Sequence, residues 1–509
     1  MAVPNEIRQI PRPINTIVED SGRNGPKRYA VRQRSSTRYV PGGNPQPHNG
    51  KVIGHIIDSK FVPVEESSSN SVPDMLSYGA SALVKSLSKD LLEDLLAVYD
   101  PSDSYAIMAT ATLRVIKPSI TISRMSTHYK RCFVCRDYPG IAITKNSLGN
   151  LFQRIGMDGN KRKQFYQRRM IETSESHHVA IDGMLKQDTS CVNDLSAFSY
   201  QAKKKGYSEV SVLYAYDIER MEPICAEVFP GNSIDASSYP AFIRDNNIQR
   251  GIIVADKGFP PSMIQSELSE RPDLHFLTPI KRNDSRIANN DMLAFDGVLD
   301  GINAHVVYRK RQITPGRFLY SFKDVQKAAN EESAYLSFAK KKNNFSSDKY
   351  ASKQNLFGVI VLESDLDLPP ETVYSCYDDR WLIELVFKHY KNDECLDHTA
   401  SQGDFTVIGS EFVNFISTVI TCRIIRKAER AGLLKEMSYG DLMDDLSSAW
   451  RKTDAPASVL PASDDSYWVH TLKSVFKELE ALGLSKPVPG LEPKKRGRKP
   501  KATSQSDTK

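Results

Sequence analysis

The stretch His178-Val-Ala-Ile-Asp182-Gly183 decides the fold. Val179, Ala180 and Ile181 make a short buried strand, and that strand ends on a carboxylate. Gly251-Ile-Ile-Val-Ala-Asp256 repeats the pattern further along the chain. Between them lie β runs at Val210–Tyr216 and Ile224–Phe229, then a helix-like stretch, Tyr239–Asn247, that feeds the last strand. Strands in succession, followed by a helix leading into another strand, predict an α/β fold with helices packed on a mixed sheet. Asp182 and Asp256 each sit where a buried strand meets a turn. Carboxylates so placed can converge above a sheet and offer oxygen ligands to a hard divalent cation. Taken singly, such an Asp is a cap or turn residue; the repeated context makes the two candidate ligands.

A third carboxylate comes from a helix that begins after Pro369-Pro370 and is expected to run without interruption to about Asn392. Tyr377, Arg380, Glu384 and Lys391 lie at offsets 0, 3, 7 and 14. On an ideal helix they fall within a stripe about 60° wide and about 21 Å long, which Lys388 joins. One face thus carries a phenol, a guanidinium, a carboxylate and ammonium groups. It also reads as an exposed salt-bridged face, since Arg380–Glu384 and Glu384–Lys388 are i,i+4 pairs worth about 0.2–0.5 kcal/mol each.

The spacing Tyr377-x2-Arg380-x3-Glu384-x6-Lys391 resembles the Y-R-E-K signature of the insertion-sequence-four family of DDE transposases. Asp182 and Asp256 resemble that family's two aspartates in context and chain order, and Val228-Phe-Pro-Gly-Asn232 is similar to the segment before the second. The resemblance covers roughly residues 75–450. It implies a ribonuclease-H-like mixed sheet with flanking helices, interrupted by a β-rich insertion. It implies two Mg²⁺ or Mn²⁺ ions held by Asp182, Asp256 and Glu384, serving strand cleavage and strand transfer on double-stranded DNA, at transposon ends and target. It also implies phosphate contacts from Tyr377, Arg380 and Lys391, with Lys388 beside them, and base stacking by Trp381 if the DNA ends form hairpins. Two ends joined in one synaptic complex imply a homodimer, for which the helices after Val407 are the candidates. The alternatives are a general nuclease and a DNA-binding relic.

Charge is placed to match. Residues 1–60 carry ten Lys/Arg against four acids, and residues 493–509 carry seven against Asp507. Each end sums to +6 in a chain of net +6, so the body between them is near −6. Basic ends around an acidic centre fit DNA-holding extremities. The tail Pro493-Lys-Lys-Arg496-Gly497-Arg498-Lys499-Pro500 resembles an AT-hook: glycine allows close approach to the minor-groove floor, where a narrow groove attracts arginine. Near the other end, Arg23, Lys27, Arg28, Arg32, Arg34 and Arg38 follow one another without an acid, as in segments that lie along phosphates.

Leu83, Leu87, Leu91 and Leu95 recur at helical spacing before Asp100-Pro101, and helices at Tyr105–Ile116 and Ser147–Ile155 precede the basic Lys161, Arg162, Lys163, Arg168 and Arg169. These fit a mainly helical N-terminal DNA-binding domain. The organisation expected is a basic arm or small β module over 1–72, the helical domain over 73–170, a catalytic domain from 171–269 and 361–400, a β-rich insertion over 270–360 with Lys340–Lys342, Lys349 and Lys353 in a solvated loop, a helical region over 401–485, and the tail 486–509. Seven scattered cysteines argue for a reducing compartment, and Cys132-x-x-Cys135 has no second pair to complete a zinc site. Met1–Pro13 has no signal-peptide core, and the apolar run Val407–Ile425 contains Glu411, Asn414 and Arg423. That run reads as a buried helix, and the expected location is cytoplasmic, associated with DNA and not with membrane.

Overall fold

The computed structural model describes residues 3–22, 25–38, 46–63, 74–190, 192–198, 207–232, 238–255, 262, 264–300, 305–393, 396, 398–399, 401–455 and 466–486. The chain divides into two compact units, Met1–Pro73 and Asp74–Lys509.

In the first unit, β1 (Thr16–Asp20), β2 (Tyr29–Arg38), β3 (Gln46–Ile57) and β4 (Lys60–Pro63) form an antiparallel sheet in that order. Val18, Val31 and Ile56 bury one side of it with Val3 and Ile10. β3 turns into β4 through Asp58 and Ser59, with φ of 48° and 56°, the left-handed geometry that a two-residue hairpin needs. The arginine run has no acid of its own but meets acids across the strand pair. Arg28 forks onto Asp20 at 2.9 and 3.2 Å, and Arg32 reaches Glu19 at 2.7 Å. Part of the charge expected to lie along phosphates is therefore paired with acids on the neighbouring strand.

The second unit opens with β5 (Met75–Ser77), and its centre is a ten-stranded mixed sheet. The strands are β6 (His178–Asp188), β7 (Ser208–Asp217), β8 (Glu222–Pro230), β9 (Arg250–Val254), β10 (Asp273–Pro279), β11 (Gly297–Val298), β12 (Val306–Thr314), β13 (Arg317–Asp324), β14 (Val359–Ser364) and β15 (His398–Thr399). Their order is β11-β12-β13-β14-β10-β9-β6-β7-β8, with β15 added on β6. β6, β7 and β8 are an antiparallel meander, β9 runs parallel to β6, and β10 runs parallel to β9. β5 pairs with β16 (Trp450–Lys452), which pairs with β17 (Trp468–His470).

One sequence expectation changes here. β6 does not stop at Gly183: its ladder with β7 continues from Val179–Asp217 to Asp188–Ser208, so Asp182 sits in mid-strand rather than at a strand end. The β-rich stretch expected over 270–360 extends the main sheet. β10 buries Leu274, Phe276 and Leu277 in the main core, and β14 pairs with it antiparallel, so the same sheet simply widens. Among these strands lie the helices Val325–Lys342 and Ser347–Gln354, which hold Lys340–Lys342, Lys349 and Lys353. Three lysines in a last turn favour the helix C-terminus electrostatically, and Asn343, left-handed at φ 49°, closes it.

Helices cover the sheet. Asp100 caps Pro101–Ile116 by accepting from the Asp103 N–H at 3.0 Å, with Pro101 at the first helical position. The long helix Asp404–Arg430 is the central one, and the apolar run inside it is buried as expected: 83% of its most apolar window lies within the protein. It crosses the helix Lys145–Met157 so closely that a Cβ on Gly409 would meet the Phe152 carbonyl, and one on Gly156 the Phe405 carbonyl. The helices of 79–170 are thus packed into the same unit as the sheet. Most of the apolar residues of the long helix are buried inside the chain.

Candidate active site

Three residues on one face of β6 organise the site. Side chains alternate along a strand, so His178, Asp182 and Lys186, spaced by four, point the same way. The segment 370–393 lies over that face and supplies Cys376 to His178, Arg380 to Asp182 and Tyr390 to Lys186.

This segment is not the uninterrupted helix expected. It is the helix Pro370–Asp379, the helix Leu382–Lys388 and a π-helical turn, His389–Asp393. At the first joint the backbone bonds tighten to i→i−3: Arg380 to Tyr377, Trp381 to Asp378, Ile383 to Arg380 and Glu384 to Trp381, at 2.9–3.3 Å. At the second joint the chain widens around the buried Tyr390, whose hydroxyl donates to Glu411 at 2.5 Å. Tightening adds twist and the π turn removes it, so the ideal stripe is redrawn at both joints.

At the middle position, Arg380 stands between two carboxylates. Its guanidinium is 3.7 Å from Asp182 and 3.5 Å from Glu384, and it lies 5.8 Å from the centre of the Tyr377 ring. Asp182 also accepts from the Gly183 N–H at 2.8 Å. Arg380 is largely buried while Glu384 is 61% exposed, so the pair opens towards solvent on the glutamate side. β9 flanks β6 only as far as Val254–Ala180, and β15 joins it again at Gln187, which leaves Asp182 on a stretch without a described strand on that edge. A site at the carboxyl end of a parallel strand is the common arrangement in open α/β sheets.

The structure therefore brings Asp182, Arg380, Glu384 and Tyr377 together. Lys388 and Lys391 are exposed on the same segment, and Trp381 is 47% exposed, which excludes a core role for its ring. Tyr377 also lines a cavity of about 200 Å³ with Arg282, Lys327, Glu331 and Tyr374. Asp256 lies outside the described residues, as do Arg496, Gly497 and Arg498 of the tail. Of the basic run after residue 160, Arg162 is buried and donates to the Ile155 and Gly156 carbonyls, each at 2.7 Å, and Arg169 is buried against Asp90 and Glu222. Arg168 pairs with Asp94 at 2.8 Å, so these three are tied to partners within the unit. Cys132 is buried, and burial pushes its thiol up to about 12.

Sequence reasoning missed the third position. Lys186 donates to Glu411 at 2.6 Å and to the Tyr390 hydroxyl at 3.0 Å. Asn414 donates to Glu411 at 3.0 Å and accepts from Arg114. This buried network ties β6, the π turn and two helices together. A signal existed in the recurrence of polar residues at 178, 182 and 186, with only apolar residues and Gly183 between them.

Residues 156–405 match the profile of a family described as Transposase DDE domain, and every candidate residue outside the tail falls within that stretch. Among solved structures, a piggyBac transposase synaptic complex with hairpin DNA, determined by cryo-electron microscopy, aligns with 81% of this chain and 87% of its own, at 11% identity and a TM-score of 0.38. No curated protein matches the chain.

Proposed function

We propose that this chain is a DNA transposase of the insertion-sequence-four type, cleaving and joining DNA strands at Asp182, Asp256 and Glu384 on a ribonuclease-H-like sheet. The observation that carries the reading is Arg380, which gathers Asp182 and Glu384 around one positive charge within the stretch that matches the DDE domain profile. Contacts of 3.7 and 3.5 Å are longer than the roughly 2.7–2.9 Å of a locked charge-assisted hydrogen bond, so both carboxylates stay available to other cations. Hard oxygen donors in an accessible cluster fit Mg²⁺ or Mn²⁺. Two such ions, held by the three acids, would activate the attacking water or 3′-hydroxyl and offset charge on the leaving oxygen.

The chain's own residues do the rest. Arg380 presents a planar fork suited to a phosphate, Tyr377 buttresses it, and Lys388 and Lys391 add point charges along the same segment. Trp381 offers an open ring on which a base displaced at a hairpin end can stack. The tail around Arg496, Gly497 and Arg498 holds A·T-rich DNA in the minor groove without reading sequence. The active species is a homodimer on two transposon ends, acting by cut-and-paste in the cytoplasm on DNA.

The test is incubation with Mg²⁺ or Mn²⁺ on labelled DNA carrying the inverted repeats that flank the gene, wild type beside Glu384→Gln. End-specific nicking, lost by about 10³-fold or more in the variant while DNA affinity persists, is the expected result. Cutting retained in Glu384→Gln sinks the three-carboxylate assignment. Metal-dependent cutting without end preference favours a general nuclease, and binding without cutting by either protein favours a relic.

A further inference from the structure

At the first position on β6, the side chains make a cluster that the DNA chemistry does not use. His178 Nδ1 lies 2.6 Å from Glu219 Oε1 and 3.3 Å from Cys376 Sγ. His178 is 4% exposed, and Cys376 is a free thiol on the helix Pro370–Asp379. One ring nitrogen carries either one proton or one lone pair, so it cannot serve both neighbours. If it donates to Glu219, it has nothing to offer the thiol proton. If it accepts from the thiol, its lone pair faces a carboxylate at 2.6 Å. The opposite nitrogen, Nε2, is buried without a hydrogen-bond partner and gives no relief.

The neighbouring histidine shows what a satisfied arrangement looks like. His177 Nδ1 meets Asp217 at 2.8 Å, and Asp217 also accepts from the Thr173 hydroxyl at 2.9 Å and the Arg220 N–H at 3.0 Å. Every contact there has its own proton. At His178 one ring nitrogen faces two partners with a single proton or lone pair to offer, and negative charge is crowded: burial and the charges of Asp378 and Glu219 push the nearby Asp379 carboxyl up.

We infer that His178, Glu219 and Cys376 form a binding site for a zinc-like transition-metal ion, separate from the oxygen-only site at Asp182 and Glu384. Their ligand atoms lie within 4.8 Å of one another. Bonds of about 2.0 Å to nitrogen and oxygen and about 2.3 Å to sulfur place tetrahedral ligands roughly 3.3–3.6 Å apart, so His178 and Cys376 already stand at the needed spacing and the partly exposed Glu219 has to draw back from 2.6 Å. A nitrogen–sulfur–oxygen set selects zinc over magnesium, and three protein ligands leave a fourth position for water. On loading, the Cys376 thiol loses its proton to solvent as the metal–thiolate bond forms. The ion would pin the start of β6 to the helix that delivers Tyr377 and Arg380. The inference stands on these side chains alone, whatever reaction the neighbouring carboxylates support.

The test uses the purified full-length protein, stripped with chelator and titrated with Co²⁺ in excess Mg²⁺. Wild type and Glu384→Gln are expected to bind one Co²⁺ with a thiolate-to-cobalt charge-transfer band that one equivalent of Zn²⁺ abolishes. Cys376→Ser is expected to lose the band with its circular dichroism unchanged. Glu219→Gln, altered at a partly exposed position that keeps the fold safe, is expected to bind about tenfold or more weakly. No band in wild type, an equal band in Cys376→Ser, or unchanged affinity in Glu219→Gln overturns the site.

Discussion

Asp182 and Lys186 point from the same face of β6 into the same covering segment, yet their partners hold them in opposite ways. Lys186 is 3% exposed and locked to Glu411 at 2.6 Å, with Tyr390 and Asn414 completing the network. Asp182 is a quarter exposed and faces its arginine at 3.7 Å. A buried ion pair is hard to break, because either partner alone is an unsatisfied charge. A loose, half-open pair has little to lose and can exchange its cation. The strand thus separates a locked position from an exchangeable one by two repeats of its side-chain alternation.

The comparison can be attacked first at the tight end. Lys186→Met should cost about 3–5 kcal/mol by urea unfolding, while Lys186→Met combined with Glu411→Leu should recover most of it, since no charge is left unpaired. A single variant as stable as wild type breaks the contrast. At the loose end, Arg380→Lys keeps the charge and removes the fork. Strand cleavage should fall by about 10–100-fold with little change in melting temperature; a large melting shift would mean that Arg380 is structural.

A second tight network, away from the site, adds a pH test. Asp90 is held near 2 although burial pushes it upward, because Arg423 and Arg169 hydrogen-bond its carboxylate and surround it with positive charge. Its folded value lies below its unfolded one. The stabilisation is therefore present above about pH 4 and lost as pH falls towards 2. Asp90→Asn should lower stability at pH 7 and flatten this acid limb; an unchanged acid limb would show that the network carries no linkage. The smallest expected effect is on stability in Asp182→Asn, within about 1 kcal/mol of wild type, since the pair removed is long and partly solvated.

The signature helix shows how much was legible. Tyr377, Arg380, Glu384, Lys388 and Lys391 could be placed on one segment by counting alone, and Arg380–Glu384 is the i,i+4 contact that counting predicts. The joints were not legible, because 3.0-, 3.6- and wider-period turns leave nearly the same pattern over so few residues. What bends this segment is the burial of Tyr390 against Glu411, a residue from another helix. The metal-type corner escaped for a related reason: Cys376, Glu219 and His178 come from a helix, a turn and a strand, with no local spacing to announce them.

By itself, the sequence determined the elements and the chemistry available. Apolar runs specify β6 and β9, caps such as Asp100-Pro101 start helices, and the offsets of Arg380 and Glu384 put both on one side of a helix, since these depend on neighbours a few bonds away. Only the tertiary structure decided which strand is extended by pairing, as β6 is by β7 beyond Gly183, and that residues 270–360 widen one sheet. It alone set which charges are locked and which left open. Those outcomes depend on burial and on partners hundreds of residues distant, as with Lys186 and Glu411, and burial is a property of the packed chain rather than of any segment of it.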